Sequence, residues 1–294
     1  MKLAILWTLV VVGLAYALIL GRAVRRALRE RPAEFAPGGR WLPSPHQALV
    51  GFVTNFFDSL GIGNFAPTTA WFRIAKMVPD ERVPGTMNVG HTLPVLLMGL
   101  LFIQSVEVGN TTLVAMIGSS IVGAWFGAGR VAKLPRRQIQ LGMGIALLTA
   151  ALFMGGFQLL GKPLGADALS LEGIDLILAC VGIAILGALM TIGVGLYAPC
   201  MVLVSLMGMD PKAAFPIMMG ACAFLMPFAS ARFLKSEACA LRPALGLTLG
   251  GLPGVLLAVL VVKSLPLDTL RWLVIVVVVI TAIAMLRSAL KKQA

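Results

Sequence analysis

Nine stretches of this chain are apolar over lengths that suit hydrocarbon better than water, near 3–20, 47–72, 85–104, 112–129, 138–160, 174–207, 213–231, 243–262 and 272–286. Runs such as LAILWTLVVVGLAYALIL (3–20) and WLVIVVVVITAIAML (272–286) approach the roughly 20 residues with which a helix crosses a ~30 Å hydrocarbon core. Over the whole chain 59% of residues are hydrophobic and 12% charged, a balance far from that of a soluble domain. The ~10-residue alternation of a membrane β-barrel is absent, so the expected fold is an all-α polytopic membrane protein.

Two of the nine segments are interrupted. GIGNFAP (61–67) and GVGLYAP (193–199) share the frame Gly-x-Gly-x-x-Ala-Pro at a separation of 132 residues. In an ordinary helix interior each Gly costs about 1 kcal/mol and each Pro about 3 kcal/mol relative to Ala, so each segment reads as two half-helices with a break between them. Charge decides how such a segment runs. If each crosses the membrane once, the 24 Lys and Arg divide 13 to 11, with no inside bias. If each folds back as a re-entrant hairpin, 19 of them gather on one side, in 22–46, 73–82, 130–137, 232–242 and the C-terminal tail. Only Lys2, Lys162, Lys212, Lys263 and Arg271 then remain on the other.

The hairpin arrangement places the N-terminus outside and the C-terminus in the cytoplasm, with seven full spans. Three spans follow each hairpin, so the second hairpin enters from the face opposite to the first. The expected architecture is two inverted repeats, 47–161 and 174–290, forming one membrane domain. Residues 1–46 precede them as an N-terminal span and a basic cytoplasmic loop. That first span is read as retained, because no small-x-small cleavage site precedes the Arg cluster at 22–31. A second match supports the repeat: Gly123 stands before Leu134-Pro135 as Gly254 stands before Leu265-Pro266, an offset of 131. Broken backbone at membrane depth must be buried in protein or line a cavity, so the two breaks are expected to form a central site, as in carriers built from inverted repeats.

Composition narrows the function. The net charge of +12 sits at the ends of apolar segments, which speaks against nucleic acid. Cys180, Cys200, Cys222 and Cys239 show no metal-ligand or disulfide spacing. His46 and His91 are the two histidines, and the chain has no HExxH motif, P-loop or paired carboxylates. The expectation is therefore no enzyme, no metal and no cofactor.

The polar residues of the apolar segments concentrate at the breaks. Around the first lie Asn55, Ser59, Gly61, Gly63, Asn64, Thr68 and Thr69, with Asn88 and His91 in the following span; around the second lie Thr191, Gly193, Gly195, Tyr197 and Cys200. Amides, hydroxyls and half-helix N-termini suit the oxygens of a small anion, and no Lys or Arg lies deep in any apolar segment. Asp58 is the one acidic residue deep in such a segment, which makes it the candidate for coupling to a proton or sodium ion. The basic ends also suit contact with membrane lipid.

GFVTNFFDSLGIGNFAPTTA (51–70), its counterpart ALMTIGVGLYAPCMVLVSLMGMDPKAA (188–214) and the Gly-to-Leu-Pro stretch of each half resemble the sulfite exporter TauE/SafE family of membrane permeases, over about 47–290. Asn64 and Leu196 stand where that family commonly carries a third glycine. The resemblance implies a secondary transporter of the bacterial inner membrane for sulfite, a sulfonate or a related organic or sulfur anion. Alternating access would act around a site between the hairpins, and a homodimer fits the same expectation. The alternative is an anion-selective channel, from which saturation and counterflow distinguish a carrier.

Overall fold

The computed structural model describes residues 1–32, 42–131, 135–161, 168–190 and 195–290. All regular structure among them is helical: α1 (Lys2–Glu30), α2 (Pro45–Ser59), α3 (Phe65–Ile74), α4 (Val83–Ser105), α5 (Asn110–Val131), α6 (Arg136–Leu159), α7 (Gly173–Met190), α8 (Tyr197–Leu206), α9 (Ala214–Lys235), α10 (Leu241–Ser264) and α11 (Leu267–Leu290). The chain is an all-α protein of the polytopic membrane class. Seven of these helices, α1, α4, α6, α7, α9, α10 and α11, are long and apolar enough to cross a membrane.

The expected span at 112–129 falls in α5, which has 22 residues. The first arm of the second broken segment, α7, has 18 residues, or about 27 Å, and is also of span length. Its sequence carries no charge after Asp175 and no proline. The first arm of the other segment, α2, has 15 residues, begins at a Ser44/Gln47 capping box and ends at Ser59.

The N-terminal helix also exceeds its expected end. Residues 22–46 were read as loop, yet α1 continues through AVRRALRE to Glu30. Arg, Ala and Leu are strong helix formers, and Arg26 pairs with Glu30 one turn on at 2.7 Å.

The chain forms two compact units, one of Leu3–Phe102 and Cys222–Lys263, the other of Met1–Lys2, Ile103–Ala221 and Ser264–Ala294. Each draws on both halves of the sequence. In the first unit α10 lies directly on α2: a side-chain carbon added at Gly246, Gly250 or Gly254 would collide with backbone of Gln47, Ala48 or Phe52. This four-residue glycine stripe lets two membrane helices meet backbone to backbone. In the second unit α5 lies on α7 in the same manner, with Gly123 against Ala184 and Gly187 against Ser120. The contacts correspond: Phe52 and Ala184 are 132 residues apart, Gly254 and Gly123 are 131 apart.

The broken segments repeat at that offset in backbone detail. Helices α3 and α8 are each ten residues long and displaced by 132. Thr68 N–H donates to the Asn64 carbonyl as Cys200 N–H donates to that of Leu196, and Met77 to Phe72 as Met209 to Val204. Past each helix one residue turns left-handed, Lys76 (φ 48°) and Gly208 (φ 76°). A short 3-10 turn beside Pro79 or Pro211 then leads into α4 or α9.

Candidate functional site

The chain between α2 and α3 is bent by two glycines with left-handed backbone, Gly61 (φ 92°) and Gly63 (φ 87°), where a side chain would be strained. Helix α2 closes with Leu60 and Gly61 N–H groups donating to Phe57 and Asp58 carbonyls at 3.1 and 2.8 Å. Asn64 stands at the N-terminus of α3 without capping it, because its side-chain amide turns back to donate to Asp58 Oδ2 at 2.9 Å. Both residues are buried, and no Lys or Arg pairs with Asp58 among the described residues. A carboxylate in such a place is costly unless neutralised or hydrogen-bonded, which marks it as a functional position.

His91 of α4 is fully buried and held from both sides, by Asn55, one turn before Asp58 on α2, and by Thr68 of α3. Asn55 of α2 brings Nδ2 to 2.9 Å and Oδ1 to 3.2 Å from the imidazole Nδ1, and Thr68 Oγ1 of α3 lies 3.1 Å from Nε2. Asn55 Nδ2 also reaches its own helix at the Gly51 carbonyl, 2.8 Å away. Since an amide presents both a donor and an acceptor and a hydroxyl can act as either, both neutral tautomers of His91 are satisfied. The three side chains tie the two arms of the broken helix to α4, and reversing the tautomer reverses the direction of each bond.

The structure thus brings together Asn55, Asp58, Asn64, Thr68 and His91 of the expected residues. Ser59 is buried beside them and donates to the Asn55 carbonyl at 2.9 Å. Thr69 and Asn88 are turned elsewhere: Thr69 donates to the Phe65 carbonyl and lies against Met87 Sδ, and the Asn88 amide donates to the Pro84 carbonyl of its own helix. Gly63 borders open space, with nothing within 4 Å of an added side-chain carbon.

At the second break Thr191 and Gly193 lie outside the described residues. Gly195 is exposed and borders open space as Gly63 does, Tyr197 is half-buried at the start of α8, and Cys200 is fully buried. The backbone correspondence does not extend to side-chain chemistry. At an offset of 132, Asn55, Asp58, Asn64, Thr68 and His91 correspond to Gly187, Met190, Leu196, Cys200 and Ala223.

Sequence reasoning passed over the residues that hold His91 in place. Pro94 lacks the N–H that would serve the Gly90 carbonyl; Thr248 Oγ1 of α10 donates to that carbonyl instead, at 2.8 Å. Tyr16 of α1 donates to the Val89 carbonyl at 3.0 Å, and Thr92 meets Ser230 of α9 at 2.6 Å. The turn of α4 around His91 is therefore gripped by five helices of its unit. The available signal was the proline four residues after Gly90, which announces a carbonyl needing a donor.

No family model, curated protein or solved structure matches the chain.

Proposed function

We propose that this membrane protein is a secondary transporter of a small anion, of the sulfite or sulfonate class, built from two inverted repeats and resembling the TauE/SafE permeases. The observation that carries the reading is the recurrence, at offsets of 131 to 132, of a ten-residue helix with the same left-handed residue after it, the same 3-10 exit and the same glycine-mediated crossing nearby. Such a helix seen once can be a local accommodation; repeated with the same exit, it is an architectural element. Carriers use such breaks because half-helix termini and freed backbone groups bind solutes near mid-membrane. The anion class is supported by the resemblance and by the open space at Gly63 and Gly195, each beside the start of a short helix whose first N–H groups favour negative charge. Asp58 is the coupling group, and the Asn55–His91–Thr68 bridge transmits the state of the break to α4.

The test is transport by purified protein in liposomes loaded with sulfite or methanesulfonate. A carrier shows saturable uptake and counterflow of labelled anion. Linear, unsaturable flux without counterflow makes the protein a channel, and no flux of either anion removes the substrate class.

A further inference from the structure

The continuation of α1 past its apolar run bears on a different partner. Leu9, Tyr16, Leu20 and Ala27 are the buried residues of this helix. At 3.6 residues per turn they fall within about 40° of one another, forming the seam by which α1 packs on its unit. Tyr16 and Leu20 join Val89, Cys239 and Ala244 there, with Phe233 and Leu234 of α9 alongside. On the opposite side Trp7, Val11, Leu14 and Leu18 are exposed. The same side continues as Arg22, Arg25, Arg26 and Arg29, all exposed. One uninterrupted helix thus presents an outward stripe that changes from purely apolar to purely cationic within a turn.

The position of that change is set by length. Lys2 and Arg22 bound the uncharged part of α1, and 20 residues of helix rise about 30 Å, the thickness of the hydrocarbon core. The headgroup layer beyond it is about 5–7 Å deep. Arg22, Arg25 and Arg26 fall inside it, and Arg29, about 10 Å beyond Arg22, stands a few ångström above it, from where its long side chain can reach back to the phosphates. Arg26 is paired with Glu30; Arg22, Arg25 and Arg29 have no carboxylate partner among the described residues. The last turn of α9, packed beside α1, adds exposed Arg232 and Lys235, while the nearby Glu237 is held by Arg31 at 3.0 Å. A planar guanidinium pairs with phosphate through two parallel hydrogen bonds.

We propose that Arg22, Arg25 and Arg29, with Arg232 and Lys235, form a binding surface for anionic phospholipid headgroups. The lipid phosphate is the occupant because the stripe stands at headgroup depth and faces away from the protein. The surface is independent of the transported solute.

The experiment places the purified chain in nanodiscs of phosphatidylcholine with increasing phosphatidylglycerol, and follows the thermal unfolding midpoint and the lipids retained on extraction. The midpoint should rise with phosphatidylglycerol. In the triple variant Arg22→Gln/Arg25→Gln/Arg29→Gln most of that rise should vanish, while the unfolding midpoint in pure phosphatidylcholine stays that of the unaltered chain. Each arginine near a membrane surface contributes about 1 kcal/mol, so Arg25→Gln alone should raise the phosphatidylglycerol fraction giving half-effect about fivefold. The corresponding lysine triple should keep most of the response. Equal response in the glutamine triple and the unaltered chain overturns the proposal. So does an equal rise produced by inorganic phosphate at matched ionic strength, which would make the surface a site for free anions.

Discussion

Replacing Thr68 by Val removes one hydroxyl and changes almost nothing in shape, and the hydroxyl removed is the partner of a fully buried imidazole nitrogen at 3.1 Å. The cost has two parts. A typical hydrogen bond contributes about 1 kcal/mol net, and a buried nitrogen left without a partner adds desolvation of about 1–3 kcal/mol. Membrane helices temper this, because the unfolded chain in a bilayer also finds partners and measured values average about 0.6 kcal/mol. Thr68 is fully buried, so the expected loss is about 1–2 kcal/mol. The assay is equilibrium unfolding in mixed micelles, run as a cycle with His91→Leu. With the imidazole gone, the Thr68 hydroxyl is itself the orphan, and Thr68→Val should become neutral or stabilising. The coupling energy should then be about 1 kcal/mol, above the ~0.3–0.5 kcal/mol within which independent sites add. A Thr68→Val penalty of the same size in both backgrounds would refute the bridge as the source of the stability.

Three further outcomes follow from the same geometry. Gly250→Ala should lower stability by more than about 2 kcal/mol, since its new carbon meets the Ala48 carbonyl, whereas Gly118→Ala, with nothing within 4 Å, should be neutral or gain up to about 1 kcal/mol; unfolding midpoints of the two variants decide it. Asp58→Asn should fold, because Asn64 Nδ2 can still donate to a side-chain oxygen there, and should flatten the dependence of anion counterflow on pH or Na⁺; unchanged dependence removes Asp58 from coupling. Gly195→Leu should abolish stabilisation by sulfite in protein that still unfolds cooperatively, and undiminished stabilisation would dissociate the second break from anion binding; Gly63 is the poorer probe because its φ of 87° strains any side chain.

Much of this fold was legible because membrane burial writes itself into composition. Each apolar run became a helix, and both glycine-proline frames became ends of broken ones. Two boundaries escaped. Helix α1 ran on through Arg22–Glu30 because hydropathy reports the solvent a residue prefers, whereas helicity there depends on Arg, Ala and Leu propensity and on the Arg26–Glu30 pair. Helix α7 is longer than α2 because it begins at Gly173, four residues before the position that corresponds to Pro45 at the 132-residue offset. At the site, Asp58, Asn64 and His91 could be singled out by polarity alone. Pairing could not: Thr68 and Thr69 are adjacent and chemically identical, and only the helical direction of α3 sends one to His91 and the other toward Met87.

The two broken segments separate what recurs in the backbone from what differs in the side chains. The turn after each short helix, the glycine that admits the crossing helix and the proline beside the next 3-10 turn recur at one offset, since each satisfies a steric or hydrogen-bonding demand of the backbone itself. The side chains carry no such demand. Helix α2 meets its crossing partner with Asn55 opposite Gly251, while α7 meets its own with Gly187 opposite Ser120, so the larger group has changed helices and the space has stayed filled. In the first unit that group is an amide that reaches His91; in the second the hydroxyl reaches no hydrogen-bond partner among the described residues. Among the described residues the buried side-chain hydrogen-bond network lies at the first break. The second carries Leu196, Cys200 and Ala223 at the matching positions, so exchanging Thr68 with Cys200 and Asn64 with Leu196 should not recreate the imidazole-centred bridge there unless an equivalent of His91 is supplied as well.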